Sequence, residues 1–91
     1  MKYYYKQSYL KSFDRLNRLQ QEVVTKTDIL IKNYLEKGNA AFGLRIKTLK
    51  ENICEGRVND KLRIVWVRQK DEITFALLGN HEEVTRFLKR F

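Results

Sequence analysis

The chain has 91 residues and a formal net charge of +8, from 19 Lys and Arg against 11 Asp and Glu. At that length, with 43% apolar residues, one domain covering 1–91 is expected, and both a two-domain arrangement and global disorder are excluded. No apolar run approaches a membrane span, Met1 to Lys6 lack the apolar stretch of a signal peptide, and the single cysteine (Cys54) and single histidine (His81) exclude an internal disulfide and a Cys/His zinc site.

In chain order, Lys2 to Lys6 carries three alternating-compatible tyrosines and reads as a short first strand. Ser8 is the expected N-cap of a first helix over about 8–19, with Leu10, Phe13, Leu16 and Leu19 spaced by three on one stripe. Val23, Val24, Leu30, Ile31, Tyr34 and Leu35 continue a helical pattern that ends at Gly38-Asn39, a left-handed cap signal. Residues 38–52 are punctuated by Gly38 and Gly43 and lack a clear period, so a basic loop is predicted there. The period then becomes two, and Ile53 to Val58, Leu62 to Arg68 and Glu72 to Leu78 read as an antiparallel meander. From Glu82, the spacing of Val84, Phe87, Leu88 and Phe91 predicts a short amphipathic helix. The predicted order is β-α-α-β-β-β-α: an α+β domain with its helices on one face of an antiparallel sheet.

Two features bear on chemistry. A two-residue loop after Val58 pairs Arg57 with Leu62, whereas a three-residue loop through Asn59, Asp60 and Lys61 sets Arg57 opposite Arg63 and puts both guanidiniums on one face. Such a pair repels unless an anion lies between the two or acidic neighbours such as Asp60, Glu55 or Glu72 neutralise it. His81 follows the last strand, where a side chain can reach an open groove, and a histidine titrates near pH 6.5, within range for proton transfer. The alternative for each is an ordinary surface ion pair or a histidine with no task. The charge excess fits RNA, DNA or an acidic protein, or serves solubility alone.

Taken together, Leu49-Lys50, the run from Glu55 through Arg57 and Arg63 to Trp66, and Ala76-Leu77-Leu78-Gly79-Asn80-His81 resemble the C-terminal half of RelE/ParE-superfamily toxins. With the preceding helical hairpin, the resemblance extends over about residues 7–89 and is nearest to the RelE/YoeB-like branch. It implies a type II toxin–antitoxin toxin acting as a metal-independent, ribosome-dependent endoribonuclease that cuts mRNA in the cytoplasm, with no cofactor. On it, Arg57, Arg63 and His81 take catalytic positions, and Arg45, Lys47, Lys50, Lys89 and Arg90, with Lys32 and Lys37, are expected to grip RNA. The implied partners are the ribosome, mRNA and an acidic, partly disordered antitoxin in a hetero-oligomer, with no membrane. The chain departs from the family pattern where Glu82, Glu83 and Val84 follow His81 without a tyrosine, and where the basic loop offers only Glu51 as a carboxylate. A ParE-like inhibitor of DNA gyrase, which needs no catalytic histidine, and a nonenzymatic RNA-binding module are the competing readings.

Overall fold

Alternation sets the first strand, β1 (Lys2–Tyr5): Tyr3 and Tyr5 turn towards the core while Tyr4 faces outward. The computed structural model describes residues 1–90, and in it α1 (Gln7–Asp14) begins directly after this strand. Lys6 stands at its N-cap without a side-chain cap, and Ser8 has a different task from the one expected: its Oγ donates to the Ala76 carbonyl at 2.7 Å. The first helix also ends earlier than its leucine stripe suggests. Tyr9 is its buried residue, Leu10 is 40% exposed, and Leu19 belongs to the next helix, where it is 74% exposed.

Asn17 divides the two helices. Its side chain accepts from the Gln20 backbone while the Gln20 side chain accepts from the Asn17 N–H, a capping box that starts α2 (Arg18–Lys37). Gly38 ends α2 at φ 80° as the left-handed cap its position predicts, with its N–H donating to the Tyr34 carbonyl. Val24, Thr27 and Ile31 form the buried face of α2.

The sheet has five strands, one more than expected. Within the stretch read as a loop, Lys47–Lys50 forms β2, an edge strand pairing antiparallel with β3 (Ile53–Arg57). β4 (Arg63–Gln69) and β5 (Glu72–Gly79) complete the meander, and β1 adds parallel to β5, giving the order β1-β5-β4-β3-β2. The sheet is therefore mixed rather than wholly antiparallel. On β5, Ala76 is an extra residue between the Trp66–Phe75 and Val65–Leu77 pairs, a bulge that inverts the alternation of the strand beyond it.

The last helix, α3 (His81–Leu88), packs on the opposite face from α1 and α2, which corrects the one-sided arrangement expected above. Tyr9, Val24, Ile31, Leu44, Ile64, Trp66, Ile73, Phe75 and Leu78 fill the larger core beneath α1 and α2. Val84 packs with Ile53 and Val65 on the other face, joined by the half-buried Leu77, Phe87 and Leu88. Phe91, expected on the same stripe, lies outside the described residues.

The tyrosines of β1 also tie that strand to α2. Tyr3 donates to Glu36, Tyr5 donates to Asp28 at 2.5 Å, and Lys32 pairs with Asp28 at 3.4 Å while lying 4.9 Å from the Tyr3 ring centroid. Burial first, and the hydrogen bond to Glu36 second, push the Tyr3 phenol up to about 12. Burial raises Tyr5 and Tyr9 further, assisted in both by Asp28. Unfolded tyrosines ionise near pH 10, so the stability tied to these protonated phenols is intact below that value and is lost as pH climbs through about 12. Denaturation midpoints followed from about pH 8 upward should fall steeply beyond about 10, and Tyr5→Phe, which removes one titrating phenol, should flatten that fall.

Candidate active site

The turn between β3 and β4 decides the geometry of the arginine pair. Asn59 Oδ1 accepts from the backbone N–H groups of Lys61 and Leu62, both at 2.9 Å, and the Val58 N–H donates to the Leu62 carbonyl at 2.9 Å. The loop is thus the three-residue one through Asn59, Asp60 and Lys61, and Arg57 stands directly across from Arg63. Arg63 in turn pairs with Gly79 on β5, so a row Arg57–Arg63–Gly79 crosses the sheet. The two flanking arginines are half-buried, and the third position carries no side chain. A Cβ at Gly79 would come within 3.0 Å of Glu83, which seats the first turn of α3 against this end of β5.

His81 is the first residue of α3 and is exposed, two residues beyond Gly79. Its backbone is held by a second capping box: Asn80 Oδ1 accepts from the Glu83 N–H at 2.9 Å, and Glu83 Oε1 accepts from the Asn80 N–H at 3.0 Å. The structure therefore brings Arg57, Arg63 and His81 to one end of the sheet, from three different elements.

The charge balance of this end is set by Glu55. Its Oε2 lies 3.7 Å from Arg63 Nε, and the two side chains are only 12% and 13% exposed. The carboxylate thus serves Arg63 rather than Arg57. Arg63 Nε is buried without a hydrogen-bond partner, so that edge of the guanidinium is held by charge rather than by a hydrogen bond. Across the strand on the other side, Glu55 faces Lys47. Arg57 is fixed through its backbone, whose N–H donates to the Leu44 carbonyl at 2.6 Å and ties the stretch before β2 to the end of β3.

The remaining predicted cations are scattered. Arg45 is exposed at φ 46°, and Lys47 and Lys50 lie at either end of β2, with only Lys47 beside the arginine row. Lys89 and Arg90 are exposed at the far end of α3 from His81. Lys32 is taken up by Asp28 and the tyrosine rings on the other face. Glu51 sits in the turn at the opposite end of β3 from Arg57, away from the row. Among the described residues, no group of three or more His, Cys, Asp or Glu is placed to hold a metal ion, and no helix is long and apolar enough to cross a membrane.

Neither a protein-family model nor a curated protein sequence matches this chain. Solved structures do. A copper-bound mutant toxin from Helicobacter pylori superposes with a TM-score of 0.71 at 21% identity, covering 92% of this chain and 98% of that one. A YoeB/ParE toxin from Agrobacterium tumefaciens gives 0.68 at 18% identity over 89% and 99%. A RelB-RelE antitoxin-toxin complex from Methanococcus jannaschii gives 0.64 at 15% identity over 92% and 96%. The chain has the RelE/ParE toxin fold.

Within that fold, one contributor to the site went unread in the sequence, and another, Glu55, was named as a neutralising neighbour without its partner being fixed. The Asn80/Glu83 capping box was available as the pattern Asn80-His81-Glu82-Glu83, a cap residue followed three positions later by glutamate. Glu55 carries no local signal for its pairing with Arg63, because the contact is diagonal across two strands and depends on the loop register. Asn80→Ala should lower stability by about 0.5–2 kcal/mol, as loss of an N-cap does, and should fray the turn that carries His81. Thermal denaturation, together with amide exchange at residues 81–84, measures both effects.

Proposed function

We propose that this protein is the toxin of a type II toxin–antitoxin pair and acts as a ribosome-dependent endoribonuclease on mRNA. The observation that carries this reading is the convergence of the Arg57–Arg63 row with His81 at one open end of the sheet. The RelE/ParE toxin fold supports the toxin part of the reading.

Cleaving an RNA chain through its own 2′-OH requires that this oxygen attack the adjacent phosphorus while the bond to the 5′ oxygen breaks. The phosphate gains negative charge on the way, one proton must leave the nucleophile and one must reach the leaving oxygen. Arg57 and Arg63 hold the scissile phosphate and stabilise its growing charge through hydrogen bonds of the charge-assisted kind. His81, exposed at the head of α3, exchanges a proton with the reacting oxygens. Lys47 adds a cation beside the row at the sheet edge, and Arg45, Lys50, Lys89 and Arg90 contact ribosomal RNA phosphates, an interaction that weakens as salt rises. The regulating partner is an acidic antitoxin, part of which orders on wrapping this basic surface.

Primer extension on a reporter mRNA in a purified translation system tests the reading. Cuts by the wild type should require ribosomes, and Arg63→Ala and His81→Ala should each reduce them by about 10²-fold or more. Intact mRNA at saturating wild-type protein would refute cleavage and direct the search to DNA gyrase supercoiling.

A further inference from the structure

The cationic row already contains an anion. Glu55 lies on the same face of β3 as Arg57, two residues before it, faces Lys47 on β2 and has its carboxylate 3.7 Å from Arg63 Nε. The carboxylate, on a side chain 12% exposed, thus pairs with Arg63, while Lys47 stands across the strand from Glu55 and Arg57 two residues along on the same face. A phosphate held between Arg57 and Arg63 must share Arg63 with that carboxylate and lie close to its negative charge. In partly buried surroundings, two such like charges repel strongly and are weakly screened by salt.

We propose that Glu55 is a specificity-determining residue: as the resident counter-anion of the Arg57–Arg63 row and of Lys47 beside it, it weakens the binding of any single phosphate backbone there. RNA then occupies the row only when further contacts, outside the row, add to its affinity. The proposal rests on the reading of this row as a phosphate site, and it gives a chain of net charge +8 a means of limiting indiscriminate binding of single-stranded RNA at this row.

The test measures binding rather than cleavage, using a short single-stranded RNA methylated at every 2′ oxygen, which lacks the nucleophile and stays intact. Glu55→Gln keeps the side chain's size and removes its charge, and Glu55→Thr removes the same charge with a residue suited to a strand. Glu22→Gln, on the exposed side of α2, makes the same change in net charge away from the row. Both Glu55 variants, shown to be folded by thermal denaturation, should bind the oligonucleotide roughly tenfold or more tightly than the wild type, while Glu22→Gln should change affinity by less than about twofold. Unchanged or weaker binding by the folded Glu55 variants would overturn the proposal. Arg63→Ala separates the two levels of the argument. If it weakens binding while the Glu55 variants do not strengthen it, the phosphate row stands and the role given to Glu55 falls. If it leaves binding unchanged, both fall.

Discussion

Two backbone N–H groups donating to the Asn59 side chain hold the β3–β4 loop at three residues, and the placement of every charged group at the site follows from the register this sets. Side chains alternate along a strand, so a slip by one residue would carry Arg63 away from Arg57 and set a leucine opposite it. The neighbouring alternation is as constrained: Val58 and Leu62, which flank the loop, pack against the main core, so the same register that puts the arginines on the opposite face turns these two residues inward. Ala76 completes the arrangement on β5. By taking up one extra position it brings Gly79 opposite Arg63 and Leu78 into the core beneath α1 and α2.

The two faces of the sheet then differ in kind. One is closed by α1 and α2 over Trp66 and Phe75, with the β1 tyrosines sealing the edge through Asp28 and Glu36. The other is covered by the short α3 over Ile53, Val65 and Leu77, and beyond that apolar patch it carries Glu55, Arg57 and Arg63. Two arginines directly opposed in a sheet are unfavourable by themselves. Here Glu55 offsets the repulsion from beside Arg63, and the Leu44 carbonyl fixes the backbone of Arg57. The Arg63 guanidinium is therefore held against Glu55 in the free protein, so in the proposed function it is positioned before any phosphate arrives.

Much of this was legible in the residues. The helical hairpin, its Gly38 cap, the three-strand meander and the end position of His81 all follow from period, cap and turn chemistry. β2 was hidden because it is a four-residue edge strand of sequence Lys-Thr-Leu-Lys with an irregular register, flanked by Arg45 and Glu51 at positive φ, so it shows neither a period nor a turn signature. The side of the sheet taken by α3 was hidden by the Ala76 bulge, since a strand read with unbroken alternation assigns Leu77 and Leu78 to the wrong faces. The boundary between the helices was misplaced because Leu16 and Leu19 sustain a spacing that the Asn17 capping box interrupts. Of the site itself, the residue types were evident, whereas the Glu55–Arg63 pairing emerges only once β3 and β4 are in register.

In the proposed function, Arg57, Arg63 and His81 form one phosphate-binding end of the sheet. The most direct measurement is an NMR titration of the isotopically labelled protein with a short 2′-O-methylated RNA, following backbone amides and arginine side-chain signals. Saturable shifts should cluster at Arg57, Arg63, Gly79 and His81 and share one dissociation constant. Shifts centred instead on the Arg68 to Glu72 turn at the other end of β4, or the absence of any saturable change at the arginine row in both the wild type and Glu55→Gln, would contradict this reading.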